Sequence, residues 1–568
     1  MGLALGIEMG ERRGHGLRAG TAQCGCPTER WDNQGIIVGC ATAGAGLSGA
    51  ALRVSNMPLL RKNSLHLLPA LALACAALLP LPLAAQLQLP TLGDGASITT
   101  SDERRMGDRI IRSLYRDPDY LEDAPLQEYV EGIWKPLLAA ARARGELSPE
   151  LDERFAWQIL LGRDRSVNAF ALPGGYLGVH LGLVGVVGTR DELASVLAHE
   201  LSHVSQRHIA RMISQQSRHT PLMIGTMILG ALAAAKSPSA GQALMVGGQA
   251  LTAQNQLNFS RDMEREADRM GFGLMEPAGF SPRGAIGMFE RLQQANRLND
   301  NGSWPYLRSH PLTTERMADM QSRLPAGQSS SQPAPTLEHT MMAARARVLS
   351  RPGVDVLRQW VRLPHSSGFG EQPQAQRVAA LYAAVLAHVQ LQDWGDARAG
   401  LPALAQALAG DAAGMRQAAL LAAELELAAG QPQAALDALA PVALAEDRSG
   451  KPSRPVLLLR TQILLRLGQA QDMAQPLQTW VTLYPRDAAA WQALAQLWQA
   501  QGQPLRALRA EGEAQAAHYD YAAAVDRFRA GQELARRGGT QNDHFEASII
   551  DTRLRATEEL LREQAAQR

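Results

Sequence analysis

Hydrophobic positions change their period several times along the chain. From Ser101 to about Arg144 they recur at helical spacing, with Ile110, Ile111, Leu114 and Tyr115 on one side. FAWQILLGR (155–163) reads as a strand. SVNAFALPGGYLGVHLGLV (166–184) reads as two strands around a Pro173-Gly174-Gly175 turn. The period then returns to helical. Thr189 is placed as an N-cap with Glu192 reaching back in a capping box, so a helix starts near Arg190. Leu193, Val196, Leu197, Leu201 and Val204 give that helix a buried face. SRDMEREADRMGFGLMEPAGF (260–280) reads as another helix, ended by Gly279.

Between these two helices lies PLMIGTMILGALAAA (221–235), broken by Lys236-Ser237-Pro238 and followed by a weaker apolar stretch from Ala243 to Leu251. A bilayer span needs about 20 residues, and this run is shorter. A buried helical hairpin is the simpler reading. The alternative is a segment that makes peripheral membrane contact or covers a site.

Residues 326–340 open Ser/Pro/Gln-rich and read as a linker. Beyond them, Gly430-Gln431, Gly468-Gln469 and Gly502-Gln503 each separate two amphipathic stretches, and Trp394-Gly395 takes the same place upstream. The glycines recur every 34–38 residues, and Trp491, Leu494, Trp498, Gly502 and Ala507 follow tetratricopeptide spacing. Residues 341–568 are therefore expected to be a helical repeat solenoid of three to five pairs rather than a plain bundle.

The N-terminal region has a different character. After Met57, Arg61 and Lys62 precede an apolar run from Leu65 to Leu83, with small residues Ala84 and Ala85 before Gln86. This is the layout of a signal peptide at 57–85, and it leaves residues 1–56 as a doubtful upstream extension. Prolines at 69, 80 and 82 weigh against an uncleaved anchor. All four cysteines precede the expected cleavage point, so the exported chain would rely on its core rather than on disulfides. Export without a disulfide framework points to a bacterial periplasm. The chain of 568 residues has a net charge of +1 and no basic patch interleaved with aromatics, so no nucleic-acid partner is indicated.

The chemistry concentrates in LASVLAHELSHVSQRH (193–208). Two histidines four apart on a helix, His199 and His203, stack one turn above the other and can offer ring nitrogens to one zinc ion. Glu200 projects about 100° away and is placed to take a proton from water. Glu264 and Asp268, four apart on the downstream helix, extend the set. Hydrolytic zinc commonly keeps three protein ligands, which Glu264 can complete, leaving Asp268 to orient a ligand imidazole. His208 and His219 have no motif support and read as helix-surface residues; His180 reads as structural.

HELSH, EREAD from Glu264, SHPLTTER (309–316) and NAFALPGG (168–175) together resemble the Ste/Oma/HtpX-type zinc metallopeptidases over about residues 100–325. The signal-like segment before and the repeats after narrow the resemblance to the periplasmic branch of Gram-negative bacteria that assists outer-membrane β-barrel assembly. The implied fold is mainly α with a small β-sheet: a zincin-type α+β metallopeptidase domain at 86–325, then the solenoid. The implied site holds one Zn2+ per chain on His199, His203 and Glu264, with Glu200 as base. The resemblance further implies that His310 can act as a regulatory fourth ligand that holds the enzyme latent. Arg316 either pairs with Asp268 or steadies the transition-state oxyanion. Asn168 is a candidate anchor for the substrate backbone, weighed evenly against a turn-capping role. Implied partners are unfolded or misassembled outer-membrane β-barrel proteins, and the barrel assembly machinery through the repeats. Two rivals remain: a chaperone or scaffold with a mostly latent protease domain, and an inner-membrane-anchored quality-control protease.

Overall fold

A computed structural model describes residues 98–215, 259–297, 304–324, 334–537 and 543–566. The signal-like segment, the apolar runs at 221–235 and 243–251, His219 and the first part of the expected linker lie outside the described residues. Among the described residues no helix is long and apolar enough to cross a membrane.

Four short strands build one mixed sheet in the order β1 (Tyr120–Leu121), β2 (Gln158–Gly162), β4 (Tyr176–His180), β3 (Ala169–Leu172). β3 and β4 form the expected antiparallel hairpin, with Leu172 opposite Tyr176. Its turn requires glycine twice, at φ +78° for Gly174 and +84° for Gly175. A Cβ on Gly175 would lie 2.7 Å from the Phe155 Cβ. The periodicity gave no sign of the parallel pairing of β2 with β4, which puts β3 at the edge of the sheet.

The motif helix, Arg190–Ser205, is buried on nearly every side, with Leu193, Val196, Leu197, Ala198 and Leu201 in the core. Thr189 caps it by accepting from Glu192 N–H. The Glu192 carboxylate reaches back further than a capping box predicts. It accepts from Gly188 N–H at 2.6 Å and pairs with Arg291 at 2.7 Å. The second helix spans Arg261–Met275, and the chain then turns through Gly279 at φ +82°. This helix crosses the motif helix at Gly271, where a Cβ would come to 3.0 Å from His199 N. Glycine here lets the two backbones approach closely, which brings Glu264 and Asp268 within reach of the histidines.

The repeat region is a series of helices packed on their neighbours: Gln374–Leu391 on Trp394–Ala407, Ala412–Ala428 on Pro432–Ser449, Ala488–Ala500 on Pro504–Ala517, and Tyr521–Arg536 on Asp543–Ala566, with Arg454–Leu467 and Ala474–Leu483 both packed on Ala488–Ala500. Gly430, Gly468 and Gly502 occupy left-handed turn positions at φ +74°, +68° and +68°. In the first pair that role falls to Gln392, at φ +63°, and Gly395 lies inside the following helix. Within the last residues of the expected linker, 326–340, a helix starts at Leu337 with Thr336 as its cap, and its His339, Met341 and Met342 are buried. Met341 and Tyr382 share one continuous core with Leu193 and Leu197 of the motif helix.

Candidate metal centre

Four side chains converge from three elements. The motif helix supplies His199 and His203, the second helix supplies Glu264, and His310 follows a short helical turn, Tyr306–Ser309. One ligand atom from each lies within 4.8 Å of all the others, and all four residues are buried. His203 Nε2 is 2.9 Å from His199 Nε2, which is 3.2 Å from His310 Nδ1. His310 Nδ1 is 3.0 Å from Glu264 Oε1. Imidazole nitrogens and a carboxylate oxygen crowded together, with Glu200 Oε1 beside them buried and without a hydrogen bond, fit a small divalent cation of the zinc type.

Each predicted site residue has a definite place. Glu200 is fully buried; its Oε2 accepts the Ala171 N–H of β3 at 2.9 Å and its Oε1 stands 3.4 Å from His310 Nε2. Burial drives the Glu200 carboxyl above the usual carboxylate range, against the opposing pull of His310 and His199. Asp268 Oδ1 meets His199 Nδ1 at 3.0 Å, fixing which ring nitrogen faces the centre. Burial raises the Asp268 carboxyl, but Arg316 and His199 outweigh it and hold the group below its ordinary value. Arg316 grips Asp268 through Nε at 2.6 Å and Nη2 at 2.8 Å. Its Nη1 donates to the Pro311 carbonyl at 2.7 Å and stands 2.8 Å from Glu264 Oε2, without hydrogen-bond geometry to that oxygen. Of the two roles considered for Arg316, the structure shows the pairing with Asp268. Asn168 is buried just before β3, and its carbonyl accepts His180 N–H at 3.0 Å. His180 is buried and contacts Ser166 Oγ at 2.9 Å.

His208 departs from the sequence reading. It is fully buried rather than on a helix surface, with Nδ1 2.8 Å from His203 Nδ1 and Nε2 3.2 Å from Glu266. Burial pushes its imidazole down to about 4. Two further aromatics close the site: Phe259 stacks on His203 at 3.9 Å between centroids, and Tyr306 stacks on His310 at 4.6 Å. The only sequence signal for His208 was its position five residues after His203. Phe259 carries no spacing signal toward His203, whereas Tyr306 lies four residues before His310 on the turn that ends there.

Residues 131–324 match Peptidase family M48. The chain is 34% identical over 287 residues to the putative beta-barrel assembly-enhancing protease of Vibrio cholerae, covering 50% of this chain and 57% of that one. It is 29% identical over 478 residues to the beta-barrel assembly-enhancing protease of Escherichia coli, covering 82% and 91%. It is 29% identical over 207 residues to the mitochondrial metalloendopeptidase OMA1 of Saccharomyces cerevisiae, covering 35% and 56%. The match of residues 131–324 to that family and the His-His-Glu-His cluster agree on one chemistry, that of a zinc metalloendopeptidase.

Proposed function

We propose that this chain is an exported, periplasmic zinc endopeptidase that cleaves misassembled outer-membrane β-barrel proteins and assists their assembly. The observation that carries it is the convergence of His199, His203, Glu264 and His310 beside Glu200 and the edge strand β3. The names of the bacterial relatives support the β-barrel client, and the signal-like layout at 57–85 supports export.

His199, His203 and Glu264 would hold the ion. Bound there, zinc would supply a Lewis acid that polarises the scissile carbonyl and makes water easier to deprotonate. Glu200 takes the proton of the attacking water and returns it to the departing amine. An extended substrate lies against β3, the edge strand among the described residues, whose remaining backbone groups offer hydrogen bonds that ignore sequence while Ala171 N–H is engaged by Glu200, with Asn168 as an anchor at its start. The burial of His310, with Nε2 3.4 Å from Glu200 Oε1, supports a latched state in which its imidazole would exclude the attacking water. The repeats deliver the client or dock on the assembly machinery. That latched geometry also favours a second reading, in which the chain acts mainly as a scaffold.

The test compares the full exported chain with Glu200→Gln on an unfolded β-barrel protein and in a strain lacking the wild-type gene. Loss of both cleavage and in-cell function supports the protease. Full in-cell function by the variant leaves the scaffold. A wild-type protein without stoichiometric zinc overturns both the ligand set and the enzyme.

A further inference from the structure

The two helix histidines are supported differently. His199 donates from Nδ1 to a carboxylate, Asp268, the arrangement common for metal-binding histidines. His203 presents Nδ1 to another imidazole, that of His208, at 2.8 Å. The contact continues through Glu266 to Arg211, at 3.2 Å and 2.8 Å.

Hydrogen-bond arithmetic fixes the direction of this chain. Glu266 is acceptor-only, so His208 must donate to it from Nε2. A neutral imidazole has one N–H, so His208 Nδ1 carries a lone pair and can only accept. His203 must then donate from its own Nδ1, which leaves its Nε2 with a free lone pair pointing at Glu264 and His199. The backbone is arranged for this contact. Arg207, between the motif helix and the helix His208–Gln215, stands at φ +51°, a conformation side-chain-bearing residues rarely adopt. It is pinned there by Glu103 Oε2 at 2.7 Å and the Ile98 carbonyl at 2.8 Å. The strained turn swings His208 back beneath His203.

We propose that His208 is a positioning residue: anchored by Glu266 and Arg211, it holds His203 in the Nδ1–H tautomer, so that Nε2 is ready for zinc before the ion arrives. This rests on the assignment of His203 as a ligand made above.

The test uses the full chain with zinc removed. Nitrogen-15 spectra of the histidine rings report where each proton sits. Wild type is expected to show His203 protonated at Nδ1; a proton on Nε2 overturns the proposal whatever the variants do. Zinc affinity is then measured by chelator competition. His208→Phe keeps the ring volume but loses the acceptor, and is expected to bind roughly 10- to 100-fold more weakly, while His208→Asn keeps an acceptor near the Nδ1 position and stays within about threefold of wild type. Equal affinities for His208→Phe and wild type, or equal weakening by both variants, reduce His208 to packing. Failure of wild type itself to bind zinc instead overturns the ligand assignment.

Discussion

Arg316 and Asp268 form a two-point ion pair, Nε to Oδ2 at 2.6 Å and Nη2 to Oδ1 at 2.8 Å, inside a site with almost no solvent access. The same guanidinium reaches the Pro311 carbonyl, so one side chain ties the His199 support to the loop that carries His310. Arg316→Met strands Asp268 beside Glu264 without a cation between them. Removing one partner of a buried pair costs roughly 3–5 kcal/mol. The zinc-free variant should melt well below zinc-free wild type, and added zinc should recover part of the loss, as calorimetry would show.

His310 holds its place through Tyr306 and Glu264 rather than through a helix of its own. His310→Ala is expected to cleave casein faster than wild type while keeping one zinc per chain. Slower or unchanged cleavage by the variant would remove the latch and leave the metal assignment standing.

Arg345 joins the two halves of the molecule. It contacts Asp123, the cap of the helix Ala124–Ala143, at 2.7 Å and Glu424 of the repeats at 2.8 Å. Burial works against the Glu424 carboxyl, which sits above its ordinary value despite the arginine. Arg345→Ala leaves a buried carboxylate, Asp123, facing the half-buried Glu424 and should cost roughly 3 kcal/mol. Denaturant titration would measure this, and an effect below about 1 kcal/mol, typical of surface pairs, would show that water reaches the triad.

Within the repeats, burial works to raise the Asp487 carboxyl, yet Arg454 and Trp480 outweigh it and hold it below 3.8. A depressed folded value means the stabilisation is complete above the unfolded value and drains away as pH falls through the folded one. Melting temperature should therefore fall from about pH 4 downward, and Asp487→Asn should start lower but respond less over that range. Parallel curves for the two proteins would contradict this.

Much of the site was legible because its chemistry is local. His199 and His203 are one helical turn apart, and Glu264 and Asp268 repeat that spacing, so periodicity alone puts each pair on one face. The β3–β4 hairpin announced itself through Pro173-Gly174-Gly175. What stayed hidden depends on non-local geometry. The parallel β2–β4 pairing leaves no mark on either strand's own pattern. His208 read as a surface residue because a helix of continuous period would carry it away from His203; the left-handed Arg207 breaks that period. Gly395 looked like a turn residue by position, but Gln392 takes the left-handed conformation.

The core that joins Met341 and Tyr382 to Leu193 and Leu197 has a mechanical meaning. The solenoid is welded to the very helix that presents His199 and His203, instead of swinging on a tether. A force on the first repeats would thus reach the helix of His199 and His203 directly, and cutting the gene at residue 337 would expose apolar surface on both fragments. The peptidase half and the repeats should be handled and expressed together.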